Sequence, residues 1–189
     1  MAAWHLVFGM YGFWLPNDPR GSWSTFVGNK SLYLKFGPAT KVDTRQSIAG
    51  QRHDRTRRLA AKQTLHYPPV VVTGQQAREI ALAMGDAVRD GGLLVLACAI
   101  MPEHVHVVIV EHRLTPQRIV ARLKSRASRR LHLSGLWPEK NRPIWAKGHW
   151  KVHLPSDTAV RRAVRYVEEN PVRAGFKPQH WSFVTKHDT

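Results

Sequence analysis

Cysteine is almost absent from this sequence of 189 residues, in which Cys98 is the only one. No disulfide can therefore form within the chain. Cys98 lies in the apolar run Leu93–Ile100, which predicts a small buried hydrophobic side chain. A chain without disulfides is typical of the cytosol, so we expect a cytoplasmic protein, associated with the nucleoid if its partner is DNA.

Long apolar runs are also missing. No segment approaches the ~18 consecutive apolar residues that a membrane-spanning helix needs. The first ten residues lack the basic region that begins a signal peptide, and polar residues follow soon after. We therefore expect no signal peptide and no membrane partner.

Acidic residues are scarce relative to basic ones. Lysine and arginine total 29 against 13 aspartates and glutamates, which gives a net charge of +16. Such an excess attracts polyanions and releases counterions from a phosphate backbone, so nucleic acid is the leading candidate partner. On charge alone, the alternatives are a merely basic globular protein or one that docks on anionic lipid.

Apolar periodicity and turn residues predict a series of strands and helices along the chain. Residues 1–189 are expected to form a single domain with an irregular basic insertion at about 17–66. Within that insertion, a short basic helix is expected over 51–66. The predicted elements outside it are strand Ala3–Phe13, helix Gln75–Asp90, strands Leu93–Met101 and His104–Glu111, helix Pro116–His132, strand Ile144–Val152, and a last helix that Ser156 or Asp157 caps and that ends at Asn170, before Pro171.

The order β-α-β-β-α-β-α is typical of a ferredoxin-like split βαβ arrangement. It predicts an α+β fold in which an antiparallel sheet carries helices on one face, with an added C-terminal helix that bears Tyr166. A fold of this kind is compatible with many functions, so function has to be argued from particular residues.

Two histidines stand at the start of one predicted strand. Since side chains alternate along a strand, His104 and His106 project from the same face while Val105 points to the other. Two imidazoles ~7 Å apart along a strand can share one metal ion. The alternative is two unrelated surface histidines, because the chain contains 11 histidines.

A tyrosine and an asparagine lie four residues apart near the end of the last predicted helix. Tyr166 and Asn170 therefore point from one face of that helix. Arginines at 161, 162, 165 and 173 surround the tyrosine in the sequence, so a phosphate would meet its hydroxyl in a positive field. The alternative is a tyrosine half-buried against the sheet, which is common for an aromatic residue on an amphipathic helix.

Together these segments resemble a known family. Met101–His106, followed by Tyr166–Gly175 with its Asn-Pro-Val-Arg-Ala-Gly ending, resembles the insertion-sequence-type single-tyrosine transposases of the HUH class, and most closely their REP-associated relatives. The segments Tyr11–Pro16 and Ile144–Ala146 are also similar, so the resemblance runs from about residue 3 to 185. Many family members have glutamine where this chain has Asn170, whereas the REP-associated relatives have asparagine.

The resemblance implies a metal-dependent DNA endonuclease and strand transferase that acts in DNA transposition and recombination. His104 and His106, with Asn170 as a third ligand, would hold Mg²⁺ or Mn²⁺ at the scissile phosphate. Tyr166 would be the nucleophile that forms a 5′-phosphotyrosine intermediate. Because a free phenol titrates near ~10, this nucleophile needs activation by the metal or by cationic neighbours.

The implied substrate is single-stranded DNA with hairpins, such as REP-like elements or insertion-sequence ends. The basic face of helix 116–132 and the arginines near Tyr166 are the candidate DNA contacts: Lys124, Arg126, Arg129, Arg165 and Arg173. The alternative functions are a non-catalytic, domesticated protein that binds single-stranded nucleic acid, or a metal-dependent RNA-processing enzyme. Both a monomer and a homodimer are compatible with the family resemblance.

Overall fold

The computed structural model describes residues 1–13, 15, 30–38 and 54–185. Its backbone contacts divide the chain into two units. The sheet unit consists of Met1–Phe8, Val72–Asn141 and His149–Thr189, and the second unit consists of Gly9–Val71 and Arg142–Gly148. In chain order the elements are β1 (Ala3–Gly9), α1 (Lys30–Phe36), α2 (Arg55–Gln63), α3 (Gly74–Gly91), β2 (Val95–Ile100), β3 (His104–Val110), α4 (Pro116–Leu133), β4 (Trp150–Leu154) and α5 (Asp157–Arg173).

The four strands form one antiparallel sheet in the order β2-β3-β1-β4. The β1–β4 register sets His5 opposite Val152, and the β2–β3 register sets Ala99 opposite His106. The two central strands, β3 and β1, are therefore neighbours although they are far apart in sequence. This is the strand order of a ferredoxin-like split βαβ fold, and the predicted fold class is confirmed.

Helices cover both faces of the sheet. Because His5 and Phe8 are three residues apart on β1, they point to opposite faces. On the His5 face, three buried valines of α5 pack against side chains of the strands; they are Val160, Val164 and Val167. On the other face, the ammonium group of Lys124 on α4 lies 5.6 Å from the centre of the Phe8 ring, and α3 packs beside α4. The added helix α5 thus covers the face that α3 and α4 leave open.

Side-chain caps fix the starts of the long helices. Thr73 and Gln76 form a reciprocal capping box at α3, and Thr115 caps α4. Gly92 ends α3 with a φ of +62°, a conformation that residues with a Cβ rarely adopt. The predicted helices 75–90 and 116–132 are confirmed to within one residue at each end.

The predicted end of the last helix at Asn170 is wrong. Pro171 lies inside α5, and the helix ends at Arg173. Proline removes one helical donor, but its carbonyl still accepts: the Ala174 N–H lies 3.1 Å from the carbonyl oxygens of both Asn170 and Pro171. The chain leaves the helix at Gly175, which has a φ of +80°. Burial of the proline ring at the end of the packed face offsets the lost hydrogen bond.

The predicted strand Ile144–Val152 is also wrong in its bounds. The strand in the structure, β4, spans Trp150–Leu154. Gly148 has a φ of +77°, which turns the chain before the strand begins. Upstream of this turn, Trp145 and Met10 form an isolated antiparallel bridge outside the four strands.

The C-terminal segment covers the free edge of the sheet at β2. The Gln179 amide accepts a hydrogen bond from the Ile100 N–H and donates one to the Ile100 carbonyl, each at 2.8 Å. Further along, the Thr185 N–H donates to the Val95 carbonyl at 2.8 Å, and Val184 forms a parallel bridge with Val95. These contacts occupy backbone groups that an edge strand would otherwise present to another chain.

The second unit contains α1 and α2, and most of the predicted insertion at 17–66 lies outside the described residues. Asp54 caps α2, which is shorter than the predicted helix 51–66. The first strand ends at Gly9 rather than Phe13. The cause is a turn at Gly12, where φ is +85° and a Cβ would lie 2.7 Å from the Pro69 Cα.

The sequence predicts a buried cysteine and no membrane-spanning helix, and the described part of the chain bears on both predictions. Cys98 is buried in β2, as predicted for a small apolar side chain, and burial raises the pKa of its thiol. None of the described helices is long and apolar enough to cross a membrane.

Candidate active site

Strand β3 places two histidines on the sheet face that α5 covers. The chain turns at Pro102 and Glu103, and the Met101 N–H donates to the His104 carbonyl at 2.8 Å, so the strand starts at His104. Val105, which lies between the histidines, is fully buried on the opposite face. The rings of His104 and His106 are 4.7 Å apart between centroids, so the pair is closer than its backbone spacing alone requires.

Helix α5 presents the predicted tyrosine and asparagine to these histidines. Its buried valines anchor the helix on the sheet, and residues 166 and 170 lie one turn apart at the margin of that apolar face. The Asn170 side-chain amide is 3.3 Å from Nε2 of His106. The centre of the Tyr166 ring is 5.7 Å from that of His106, and the tyrosine side chain is 44% exposed. The structure thus brings the four predicted site residues together at one end of the sheet face.

A third histidine, which sequence reasoning did not identify, completes the cluster. Nε2 of His5 on β1 lies 3.0 Å from Nδ1 of His106, and the two rings are stacked at 5.3 Å. The Trp150 ring meets His5 edge-on at 5.2 Å, and Tyr166 approaches it at 6.0 Å. The sequence signal that could have found His5 is a single polar side chain in the otherwise apolar strand Ala3–Gly9.

Burial controls the charge of this cluster. It lowers the pKa of His5 to about 4, and it also lowers the pKa of His106 well below its ordinary value. The neighbouring His104 and His5 lower the pKa of His106 further. Both buried rings are therefore neutral at pH 7, which is the form in which an imidazole nitrogen can donate a lone pair to a metal ion.

The three DNA-contact candidates on α4 lie on the opposite face of the sheet from the histidine cluster. Lys124 packs over Phe8 and is half-buried, and burial lowers the pKa of its ammonium group to about 8. Arg126 forms an ion pair with Asp90 at 2.6 Å, whereas Arg129 is exposed. The basic face of α4 and the tyrosine are therefore not one continuous surface of the sheet unit.

The two candidates on α5 are closer to the tyrosine. Arg165 is exposed and is the residue before Tyr166, and Arg173 is exposed at the end of the helix, where it pairs with Glu169. Arg162 is exposed one turn before Tyr166, on the same side of the helix. Positive charge thus flanks the tyrosine along α5.

Comparison with known proteins identifies the family of this chain. The family model described as IS200-like transposase matches residues 65–170. No curated protein gives a significant match. A solved REP-associated tyrosine transposase bound to a REP hairpin is similar at 15% identity over 93% of this chain and 70% of its own, with a TM-score of 0.49. A Deinococcus radiodurans R1 protein assigned as a transposase is similar at 13% identity over 88% of each chain, with a TM-score of 0.46. Because the family match spans more than half of the residues, the chain belongs to the IS200-like transposases and is a DNA-processing enzyme of the transposase type.

Proposed function

We propose that the protein cleaves and rejoins single-stranded, hairpin-bearing DNA through a covalent link to Tyr166, at a site where His104, His106 and Asn170 hold Mg²⁺ or Mn²⁺. One observation carries the proposal: β3 and α5 bring a half-exposed phenol, a side-chain amide and two histidines together. The net charge of +16 supports a polyanionic substrate.

The donor atoms fit a divalent ion. The described residues include no cluster of three or more His, Cys, Asp or Glu side chains suited to a metal, and the side-chain amide beside His106 belongs to Asn170. The Asn170 amide faces Nε2 of His106 at 3.3 Å, and a rotation of this amide by 180° turns its oxygen toward the imidazole. With its oxygen turned this way, the Asn170 amide and Nε2 of His106 would both be donors to the ion, and His104 would supply a further imidazole nitrogen. A bound divalent ion would act as a Lewis acid on a phosphate oxygen.

In the proposed reaction, Tyr166 is the nucleophile. Its oxygen would attack the phosphorus, the phosphorus–O3′ bond would break, and a 5′-phosphotyrosine and a free 3′-hydroxyl would result. The tyrosine loses one proton and the 3′ oxygen gains one, so the step is balanced without a co-reactant. Because one phosphodiester replaces another, the reverse attack by a 3′-hydroxyl rejoins DNA without ATP.

The surroundings of the tyrosine suit a substrate that enters from solvent. Tyr166 is 44% exposed, so a phosphate in a single strand can reach it without unfolding of α5. The exposed Arg162 and Arg165 flank it and can contact the phosphates on either side of the scissile bond. Both arginines are expected to position the backbone and to carry no sequence preference.

The proposed metal site is tested by cleavage of labelled single-stranded hairpins in Mn²⁺, with products separated on a denaturing gel. We expect the wild type to cut, and His104→Ala and His106→Ala to lose cleavage while they still bind the hairpin. His180→Ala is the matched control, because His180 is exposed in the C-terminal segment. A His104→Ala/His106→Ala double variant that still cuts in the presence of EDTA would refute the metal mechanism.

Asn170 is tested separately because an amide is a weaker ligand than an imidazole. Asn170→Ala should raise the Mn²⁺ concentration at which cleavage is half-maximal, and a large excess of Mn²⁺ should restore part of the rate. Asn170→Asp should keep tighter binding than the alanine variant, since a carboxylate oxygen is a ligand that Mn²⁺ accepts readily. Equal Mn²⁺ dependence of all three proteins would remove Asn170 from the ligand set.

A further inference from the structure

Two histidines are the only buried polar side chains among the described residues: His5 is 7% exposed and His106 is 6% exposed. A buried polar ring without a hydrogen-bond partner destabilises the folded state. His5 lies in the middle of an apolar strand, where an aliphatic side chain would pack without this cost. Its short contact with His106, 3.0 Å from Nε2 to Nδ1, gives one nitrogen of each ring a hydrogen-bond partner.

That contact constrains where the imidazole protons are. A neutral imidazole has one N–H and one lone pair, and a hydrogen bond of 3.0 Å between the two nitrogens requires that one of them donates its proton to the other. If His106 donates from Nδ1, its Nε2 presents a lone pair to the Asn170 amide. If His5 donates instead, Nε2 of His106 is protonated and cannot bind a metal ion. Only the first arrangement is compatible with a ligand role for His106.

We infer that His5 is a positioning residue for His106: its Nε2 accepts the Nδ1–H of His106 and so keeps the lone pair of His106 Nε2 directed at Asn170. The inference rests on the proposed function, because it assigns His5 the role of orienting a ligand of the proposed metal site. Ligating histidines almost always donate their other ring N–H to an acceptor that fixes the tautomer and the orientation of the ring. Here the acceptor is a second imidazole rather than a carboxylate, which avoids a buried negative charge.

The neighbours of His5 hold its ring in the orientation that this role needs. The β1–β4 register sets His5 opposite Val152, and Trp150, two residues earlier on β4, lies edge-on to its ring at 5.2 Å and 88°. The His5 and His106 rings are only 28° from parallel. A ring held in this way presents Nε2 to a fixed point, so the hydrogen bond to His106 keeps its direction.

The first test uses the metal-free wild-type protein. Long-range ¹⁵N–¹H NMR correlations distinguish the Nδ1–H from the Nε2–H tautomer of a neutral imidazole. We expect His106 to be the Nδ1–H tautomer in the wild type and to gain Nε2–H character in His5→Phe. A wild-type His106 with its proton on Nε2 would overturn the inference, whether or not the protein cleaves DNA.

The second test measures Mn²⁺ affinity by electron paramagnetic resonance of the free ion. His5→Phe keeps the ring volume but cannot accept a hydrogen bond, and we expect its affinity to fall about 10- to 100-fold. His5→Gln, whose side-chain oxygen can accept, should remain within about threefold of the wild type, which a purely structural role for the ring would not predict. Equal affinity of His5→Phe and the wild type would overturn the inference.

The outcomes also separate this inference from the proposed function. If wild type and variants bind Mn²⁺ as expected but no hairpin is cut, the proposed DNA reaction fails and the role of His5 stands. If no protein binds Mn²⁺, the proposed metal site fails, and the wild-type tautomer alone decides whether His5 orients His106. If His5→Phe does not fold, the comparison of wild type with His5→Gln and the wild-type tautomer still decide the case.

Discussion

The stability of the metal-free protein is expected to fall between pH 7 and pH 5, because buried imidazoles resist protonation in the folded state. Burial lowers the pKa of His5 to about 4, whereas an unfolded histidine titrates near ~6.5. In this window the unfolded chain binds more protons than the folded chain. The contribution of neutral His5 to the free energy of unfolding is therefore fully present above pH ~6.5 and is lost as the pH falls toward 4. For His5 alone the loss at pH 5 is about 2 kcal/mol. His106, with a pKa lowered in the same direction, adds to it.

The assay is urea denaturation followed by tryptophan fluorescence at pH 7, 6 and 5. The titratable side chains that contact His5 are those of His106 and Tyr166, and burial keeps the folded-state pKa of His106 low as well. In His5→Gln one buried ring no longer titrates, so the stability lost between pH 7 and pH 5 should shrink by about 2 kcal/mol. His180→Gln, at an exposed position, is the control and should keep the wild-type pH dependence. An unchanged pH dependence in His5→Gln would refute the assignment of His5 as a buried neutral ring.

Two further predictions concern the edge of the sheet and the DNA surface. Gln179→Ala removes both hydrogen bonds to the Ile100 backbone and should lower the free energy of unfolding, measured by urea denaturation, by about 1–3 kcal/mol. The control Lys177→Ala, at an exposed position, should change it little. Equal stabilities of the two variants would show that the C-terminal segment does not stabilise the edge strand β2. Arg162→Ala and Arg165→Ala should each reduce by about one the slope of a plot of log affinity for single-stranded DNA against log salt concentration. Lys124→Ala should leave this slope unchanged, because Lys124 packs over the Phe8 ring. The opposite ranking of the variants would indicate that the DNA binds to α4.

Much of the fold follows from local sequence signals. Helix α3 begins and ends where Thr73 and Gly92 predict, and β3 follows directly from the alternation of apolar residues with His104 and His106. Local hydrogen bonding alone predicts that the last helix ends before Pro171, whereas the helix continues to Arg173 with the proline buried. Burial of this proline in the tertiary structure is not visible in the local pattern.

The candidate site was predictable only where its residues share an element. Tyr166 and Asn170 are one turn apart on a helix, and the two strand histidines are two residues apart, so periodicity groups each pair. His5 is 101 residues from His106, and their contact depends on β1 lying next to β3 in the sheet. Strand order is a property of the whole fold, and this is why composition and spacing did not connect the two rings.

The proposed role of Tyr166 as the nucleophile can be tested through the covalent protein–DNA adduct. Tyr166→Phe removes only the hydroxyl and retains the ring that packs near His106, so folding and hairpin binding should persist. Tyr33→Phe is the matched control, because Tyr33 is also an exposed helical tyrosine.

Wild type and Tyr33→Phe, incubated with labelled single-stranded hairpin DNA and Mn²⁺, should each give a shifted, protease-sensitive band on a denaturing gel. Tyr166→Phe should give neither this band nor cleaved DNA. An adduct that persists in Tyr166→Phe would show that Tyr166 is not the nucleophile. Tyr11 and Tyr67 would then be the next candidates.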